Sequence, residues 1–234
     1  MLLFHTENLP HYGLERIFEL AKEAGFKGIE LSINTCFDTQ TPDYIRKLEK
    51  RYKIKVKAFS IAEGTEESLF RAFQVTVREF PKSHMILVPP RSFGGKYKKW
   101  MEEIVPRLAK KYNLVACRRN AQSQNVVGII PSRQKMSLSS LKESGDVCLD
   151  VSSMAASNQE IMRTIPYFGK QLKHIYLSNY YKEQPYALPD RGILPLENFL
   201  TKLKSVKYKG HITLRVAPDQ INEGDDEKVL EGMK

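Results

Sequence analysis

The chain has 234 residues, 41% hydrophobic and 27% charged, enough for one sizeable core and close to the length of a minimal (β/α)8 barrel. Its 37 Lys and Arg against 27 Asp and Glu give a net charge of +10; the excess attracts phosphates over a distance, but it is spread along helical stretches and reads as a solvated lysine surface. Three cysteines without a CxxC pair, no apolar run near ~18 residues and no signal-type start argue against a disulfide scaffold, a zinc finger and a membrane-spanning helix, and fit a reducing cytoplasm.

Along the chain, short apolar strands alternate with amphipathic helices. The first strand is predicted over residues 2–5, ending at His5. A helix follows over 14–24, with Leu14, Ile17, Phe18 and Ala21 on one stripe and Gly25 placed to cap it. The second strand, 28–31, carries Glu30 near its C-terminal end. A helix over 42–52 starts with Pro42 at its first position. Strands at 55–59, 85–88, 114–117, 147–150, 174–178 and 212–216 alternate with helices at 66–80, 97–112, 138–143, 158–168 and 196–206, before an acidic last helix from 223 onward. On strand three, alternation alone leaves open whether Lys55 and Lys57 or Ile54, Val56 and Ala58 face inward. Eight alternating units predict a parallel sheet, and no Gly/Pro/Ser-rich linker divides residues 1–234, so one domain is expected. The least regular stretch, 120–144, follows strand five and therefore lies on the face where barrel loops carry specificity, or is a solvent loop with a short helix.

The run LERIFELAKEAGFKGIEL resembles the opening helix and second strand of the xylose-isomerase-like barrels, a superfamily of sugar isomerases, epimerases and endonuclease IV type repair enzymes. YKGHITLRVAP and LPDRGILPLENFLTKL, with Gly192, are similar to that family's last strand and to its loop and helix after strand seven. The resemblance implies a single (β/α)8 barrel with its site at the C-terminal ends of the strands. It also implies a divalent metal held there by carboxylates and imidazoles. Most of those ligands are missing. Where the pattern asks for Glu-Asn the chain has Arg119-Asn120; where it asks for Leu-Asp-x-x-His the chain keeps Asp150 but has Ser153; Tyr176 and Asn179 replace His-x-x-Asp; Arg215 replaces the last Glu. Two guanidiniums for two carboxylates change the local charge by about four units, which opposes a cation.

The expected site therefore holds no metal and no cofactor. Its candidate ligand-binding residues are Arg119, Asn120, Asp150, Tyr176, Asn179 and Arg215, and its candidate catalytic residues are Glu30 and His5. Two readings of the arginines stand. They converge with Arg91 and Arg191 on an anionic ligand, or they pair internally with Asp150 and Glu30. The function expected is that of a divergent sugar isomerase- or epimerase-like barrel binding a small polar or anionic, sugar-phosphate-like ligand. The alternatives are a non-catalytic regulatory barrel and, more weakly, a nucleic-acid-binding relative of endonuclease IV. No membrane partner is expected, and nothing in the sequence fixes an oligomeric state.

Overall fold

Residues 1–61, 67–90, 95–121, 125–126, 130–131, 137–221 and 224–233 are described by the computed structural model. Eight parallel strands close into a barrel: β1 Leu2–His5, β2 Gly28–Ile33, β3 Lys55–Ile61, β4 His84–Leu87, β5 Val115–Arg119, β6 Val147–Asp150, β7 Leu172–Leu177 and β8 His211–Leu214. The order around the barrel is β1-β8-β7-β6-β5-β4-β3-β2, so each strand pairs with its sequence neighbours and β1 closes the ring against both β8 and β2. Strands covered by helices outside and filled inside have no wet face. Accordingly every residue of β2, β4 and β6 is buried.

The helices form where the apolar stripe predicts them. Leu14–Glu23 buries Leu14, Ile17, Phe18 and Ala21, and Gly25 behind it takes φ +84°, which only glycine adopts cheaply. Pro42–Tyr52 starts on its proline as expected. The helix predicted over 97–112 is interrupted: between Gly95–Lys99 and Val105–Tyr112 lies a π-helical stretch, Trp100–Ile104. Pro106 has no N–H for the next turn, and Val105 N–H reaches back to Trp100 O, which absorbs the mismatch.

Two expectations are corrected. The helix predicted over 158–168 is instead Val151–Ala156, a 3-10 turn Ile161–Arg163 and Thr164–Phe168, because Asp150 caps a helix that begins directly at the end of β6. After β7 the chain makes an unpredicted hairpin, Asn179–Tyr181 against Gln184–Ala187. Within 120–144, Asn125–Val126 pairs with Ile130–Pro131, and Leu138–Glu143 is helical as expected. Among the described residues no helix is long and apolar enough to cross a membrane.

The lumen has an apolar belt of Leu3, Ala58, Ile86, Cys117, Cys148 and Tyr176. Ala58 therefore faces inward on β3, while Lys55 is exposed and bonds Glu49 at 3.2 Å. The larger apolar layer lies between strands and helices.

Candidate functional site

Tyr176 is the floor of the barrel mouth. It sits one step below the end of β7, fully buried, opposite Thr213 on β8 and Asp150 on β6. Its hydroxyl donates to Glu30 Oε1 beneath, and its ring carries two guanidiniums: Arg119 Cζ lies 5.3 Å and Arg215 Cζ 5.5 Å from the ring centroid. Arg215 also lies 5.4 Å from the Tyr186 ring of the hairpin. A cavity of about 310 Å3 opens above this floor, lined by both arginines, Tyr176, Tyr186, Ser60 and Glu7 together with aliphatic side chains.

The two arginines are held differently. Arg215 Nη1 meets Glu7 Oε2 at 2.8 Å and lies against the His5 ring, 2.8 Å from Nε2, while its buried Nε has no partner among the described residues. Burial pushes the Glu7 carboxyl up, but Arg215 and His5 outweigh it and hold it down at about 2. Arg119 Nη1 stands 4.0 Å from Asp150 Oδ2. That carboxylate is already occupied: Oδ1 accepts from Ser152 Oγ (3.0 Å) and Ser153 N–H (3.1 Å), and Oδ2 accepts from Tyr186 O–H (2.9 Å). Internal pairing with Asp150 is thus seen for Arg119, at the limit of contact. For Arg215 the partner is Glu7, not Glu30.

The remaining sequence candidates fall outside the cavity. Glu30 is not at a strand end. β2 continues three residues further, to Ile33, and Glu30 lies mid-strand inside the lumen, fully buried. It accepts from Tyr176 O–H, from Thr213 Oγ1 at 2.8 Å, and lies 3.0 Å from His174 Nε2 and 3.3 Å from His5 Nε2. Burial opposes its charge, but His174 and His5 hold it well below the usual carboxylate range. His5 ends β1 as expected, yet both ring nitrogens are engaged: Nδ1 accepts from Glu7 N–H at 3.0 Å, and Nε2 faces Glu30 and, at 3.2 Å, Ser60 Oγ. Burial and then Arg215 keep this ring neutral.

Asn120 spends its amide on the Asp150 backbone, accepting from N–H at 2.7 Å and donating to C=O at 2.9 Å. Asn179 ties the hairpin, accepting from Tyr180 N–H and Leu194 N–H and donating to Pro189 O. Gly192, at φ +145°, packs so closely on Asn179 that a Cβ would collide with its carboxamide. Both asparagines therefore shape the mouth without lining it. Arg191 lines a different hollow, against the last helix Asp226–Met233. Arg91 lies outside the described residues.

Glu7, Ser60 and Tyr186 were not among the sequence candidates. Glu7 and Ser60 sit at the C-terminal ends of β1 and β3, a position that alone would have pointed to them. Tyr186 comes from the hairpin that periodicity did not reveal.

Below the floor, beside the apolar belt, three histidines line the lumen. His174 Nδ1 is 3.1 Å from His84 Nδ1, and the His84 and His211 rings are 4.5 Å apart. Burial first, then the facing His174, pushes His84 down to about 2 and His211 down to about 4. Both are below the unfolded value of about 6.5, so the unfolded chain binds more protons in that window. Their stabilisation is complete above pH ~6.5 and is lost as pH falls toward those values. Denaturation in urea at a series of pH values is expected to show about 3 kcal/mol lost between pH ~6.5 and ~5, shared about equally by His84 and His211, because both rings stay neutral in the fold across that window. A flat profile would mean that these rings are protonated in the folded barrel.

No family model matches the chain, and comparison with curated proteins gives no match. Solved structures do match. A xylose isomerase domain protein from Alicyclobacillus acidocaldarius superposes with a TM-score of 0.71 at 12% identity, covering 100% of this chain and 96% of that one. The fold is that of the xylose-isomerase-like barrels. A 3-keto-D-glucoside 4-epimerase from E. coli gives a TM-score of 0.73 at 12% identity over 99% of this chain and 97% of its own. An AP endonuclease of family 2 from Brucella melitensis gives 0.73 at 16% identity over 99% and 96%. At these identities the likeness fixes the xylose-isomerase-like architecture and leaves the chemistry to the residues of the mouth.

Proposed function

We propose that this xylose-isomerase-like barrel binds a small anionic, sugar-phosphate-like ligand at its mouth, with two guanidiniums standing where the family resemblance implies a divalent metal. The observation that supports this most directly is the placement of both Arg119 and Arg215 against the Tyr176 ring, at the floor of a cavity whose lining carries two cations and one carboxylate. Forked N–H donors suit phosphate or carboxylate oxygens. The same donors reject a cation: two unit charges about 4 Å apart repel by about 4 kcal/mol at an effective dielectric near 20. Among the described residues no three His, Cys, Asp or Glu are grouped to hold a metal ion. The residues present do not fit the implied metal, and no step is routed through one.

A sugar isomerase- or epimerase-like proton transfer would need a base near neutrality in the cavity. Glu7 is held at about 2, and burial pushes the Tyr176 and Tyr186 hydroxyls up. This specific observation favours the second reading, a non-catalytic barrel that binds such a ligand and reports its presence.

Two measurements test the proposal. A thermal-shift series should show stabilisation by inorganic phosphate and by a hexose phosphate that grows with the logarithm of concentration, and none from the uncharged hexose. Equal shifts with the uncharged sugar, or none with either anion, would overturn the anionic reading. Elemental analysis should find no stoichiometric divalent ion. Near one equivalent of zinc or manganese, lost in Asp150→Ala, would restore the metal site.

A further inference from the structure

The mouth is polarised. In the ring, β5 and β1 lie opposite each other, so Arg119 at the end of β5 and Glu7 just after β1 stand at opposite poles of the cavity they both line. Arg215 follows β8, next to β1, and is tied to Glu7. Between the poles, the arc of β3 and β4 presents Ser60 and an aliphatic wall of Ile61, Ile86 and Val88.

Three carboxylates lie at this end of the barrel, and they differ in what they can still accept. Each carboxylate oxygen has room for two donors. Glu30 is fully buried among four polar groups. Asp150 is fully buried too and takes three hydrogen bonds, with Arg119 at 4.0 Å besides. Glu7 has one donor on each oxygen, Ser32 Oγ on Oε1 at 2.6 Å and Arg215 Nη1 on Oε2 at 2.8 Å, and 31% of its side chain is exposed. Neither Glu30 nor Asp150 lines the cavity; Glu7 does, with acceptor capacity left on both oxygens.

An anion entering the mouth is drawn to Arg119 and repelled by Glu7, so it settles toward the β5 pole. Whatever it carries at its other end then lies against Glu7, and that end must donate. Arg215 already offsets the Glu7 charge, so an uncharged hydroxyl suits this pole better than a second cation. We propose that Glu7 is a specificity-determining residue of the mouth: it accepts hydroxyl hydrogens of the ligand and thereby selects phosphorylated polyols over phosphates with a bare hydrocarbon chain. The inference rests on the anionic reading of the mouth given above. A charged acceptor covered by an alkyl chain loses its water and gains nothing, which is how a polar site rejects an analogue lacking the donor. The aliphatic wall packs either carbon skeleton and does not tell them apart. Burial pushes the Glu7 carboxyl up, but Arg215 and then His5 hold it at about 2, so it accepts as a carboxylate at physiological pH.

Isothermal titration calorimetry of the full chain tests this with inorganic phosphate, glycerol phosphate and propyl phosphate, the last having the same carbon chain as glycerol phosphate without its hydroxyls. Wild type is expected to bind glycerol phosphate at least about tenfold tighter than propyl phosphate, the worth of one hydrogen bond to a charged acceptor. Glu7→Gln should bring the two within about threefold, while inorganic phosphate binds at least as tightly as to wild type, because Arg215 loses the carboxylate that competes for it. A residue that served the fold alone would weaken all three ligands alike. Glu7→Asp keeps the charge but withdraws the acceptor by one methylene; it should lower the preference several-fold, and it carries the test should Glu7→Gln fail to fold. Equal binding of glycerol and propyl phosphate to wild type overturns the role of Glu7 and leaves the anionic reading standing, as does a preference that both variants retain. Binding of none of the three overturns the anionic reading, and this inference with it.

Discussion

Glu30→Gln is expected to destabilise the barrel by about 3–5 kcal/mol, the usual cost of removing one side of a buried charged network. Four groups converge on the Glu30 carboxylate, the Tyr176 and Thr213 hydroxyls and the His174 and His5 imidazoles, and all four side chains are fully buried. Glutamine keeps the shape but replaces one acceptor oxygen with an NH2 donor that faces donors. The groups left without an acceptor lose their compensation for burial. None of these changes touches the cavity lining except through Tyr176, whose hydroxyl loses its partner while its ring remains packed. Equilibrium urea denaturation, read as a lower midpoint at unchanged slope, measures the effect. A loss below ~1 kcal/mol would show that water reaches Glu30 and that the lumen network is not what holds the floor.

This carboxylate also shows where reading the sequence stopped short. The strand-helix alternation was legible because it rests on spacing: β1, β6 and the helix Pro42–Tyr52 fall at their predicted residues. The end of β2 was not legible. Ser32 interrupts the apolar run, yet in the fold it is fully buried, with its N–H on Thr6 Oγ1 and its hydroxyl on Glu7. A strand that continues by two residues moves Glu30 from the rim into the lumen, and a family-like strand end becomes a structural core. Asp150 misled in another way. Leu-Asp-x-x-Ser was read as a depleted metal motif, but an Asp three residues before a Ser N–H is also a helix N-cap, and that is the contact the structure shows. The helix it starts, VSSMAA, has too few apolar residues for a stripe. The hairpin turns at Lys182 and Glu183, both at positive φ, where Asn or Gly is the expected signal, so Tyr186 could not be placed at the mouth in advance.

Arg215→Glu tests whether the arginines serve the fold or a ligand. The wild-type guanidinium meets Glu7 at 2.8 Å, with both side chains partly shielded from water. A glutamate there puts two carboxylates at hydrogen-bonding distance over the Tyr176 ring, while Glu7 is a group the protein holds charged to about pH 2. One of them must take up a proton or swing out, and partial exposure gives it a route, so the loss is expected near 3 kcal/mol, at the low end for breaking such a pair. The double change Arg215→Met with Glu7→Gln removes both charges and keeps most of the volume. It should recover to within ~1 kcal/mol of wild type, because replacing both partners leaves nothing unpaired. Stability then separates from binding. If the mouth recognises an anion through this arginine, the double variant is stable but no longer stabilised by phosphate or a hexose phosphate. If Arg215 only neutralises Glu7, the double variant keeps the full anion response, and the role proposed for Arg215 in holding the anion is wrong. Should the single variant lose neither stability nor anion response, Arg215 does not sit at the mouth floor and the geometry described for it fails.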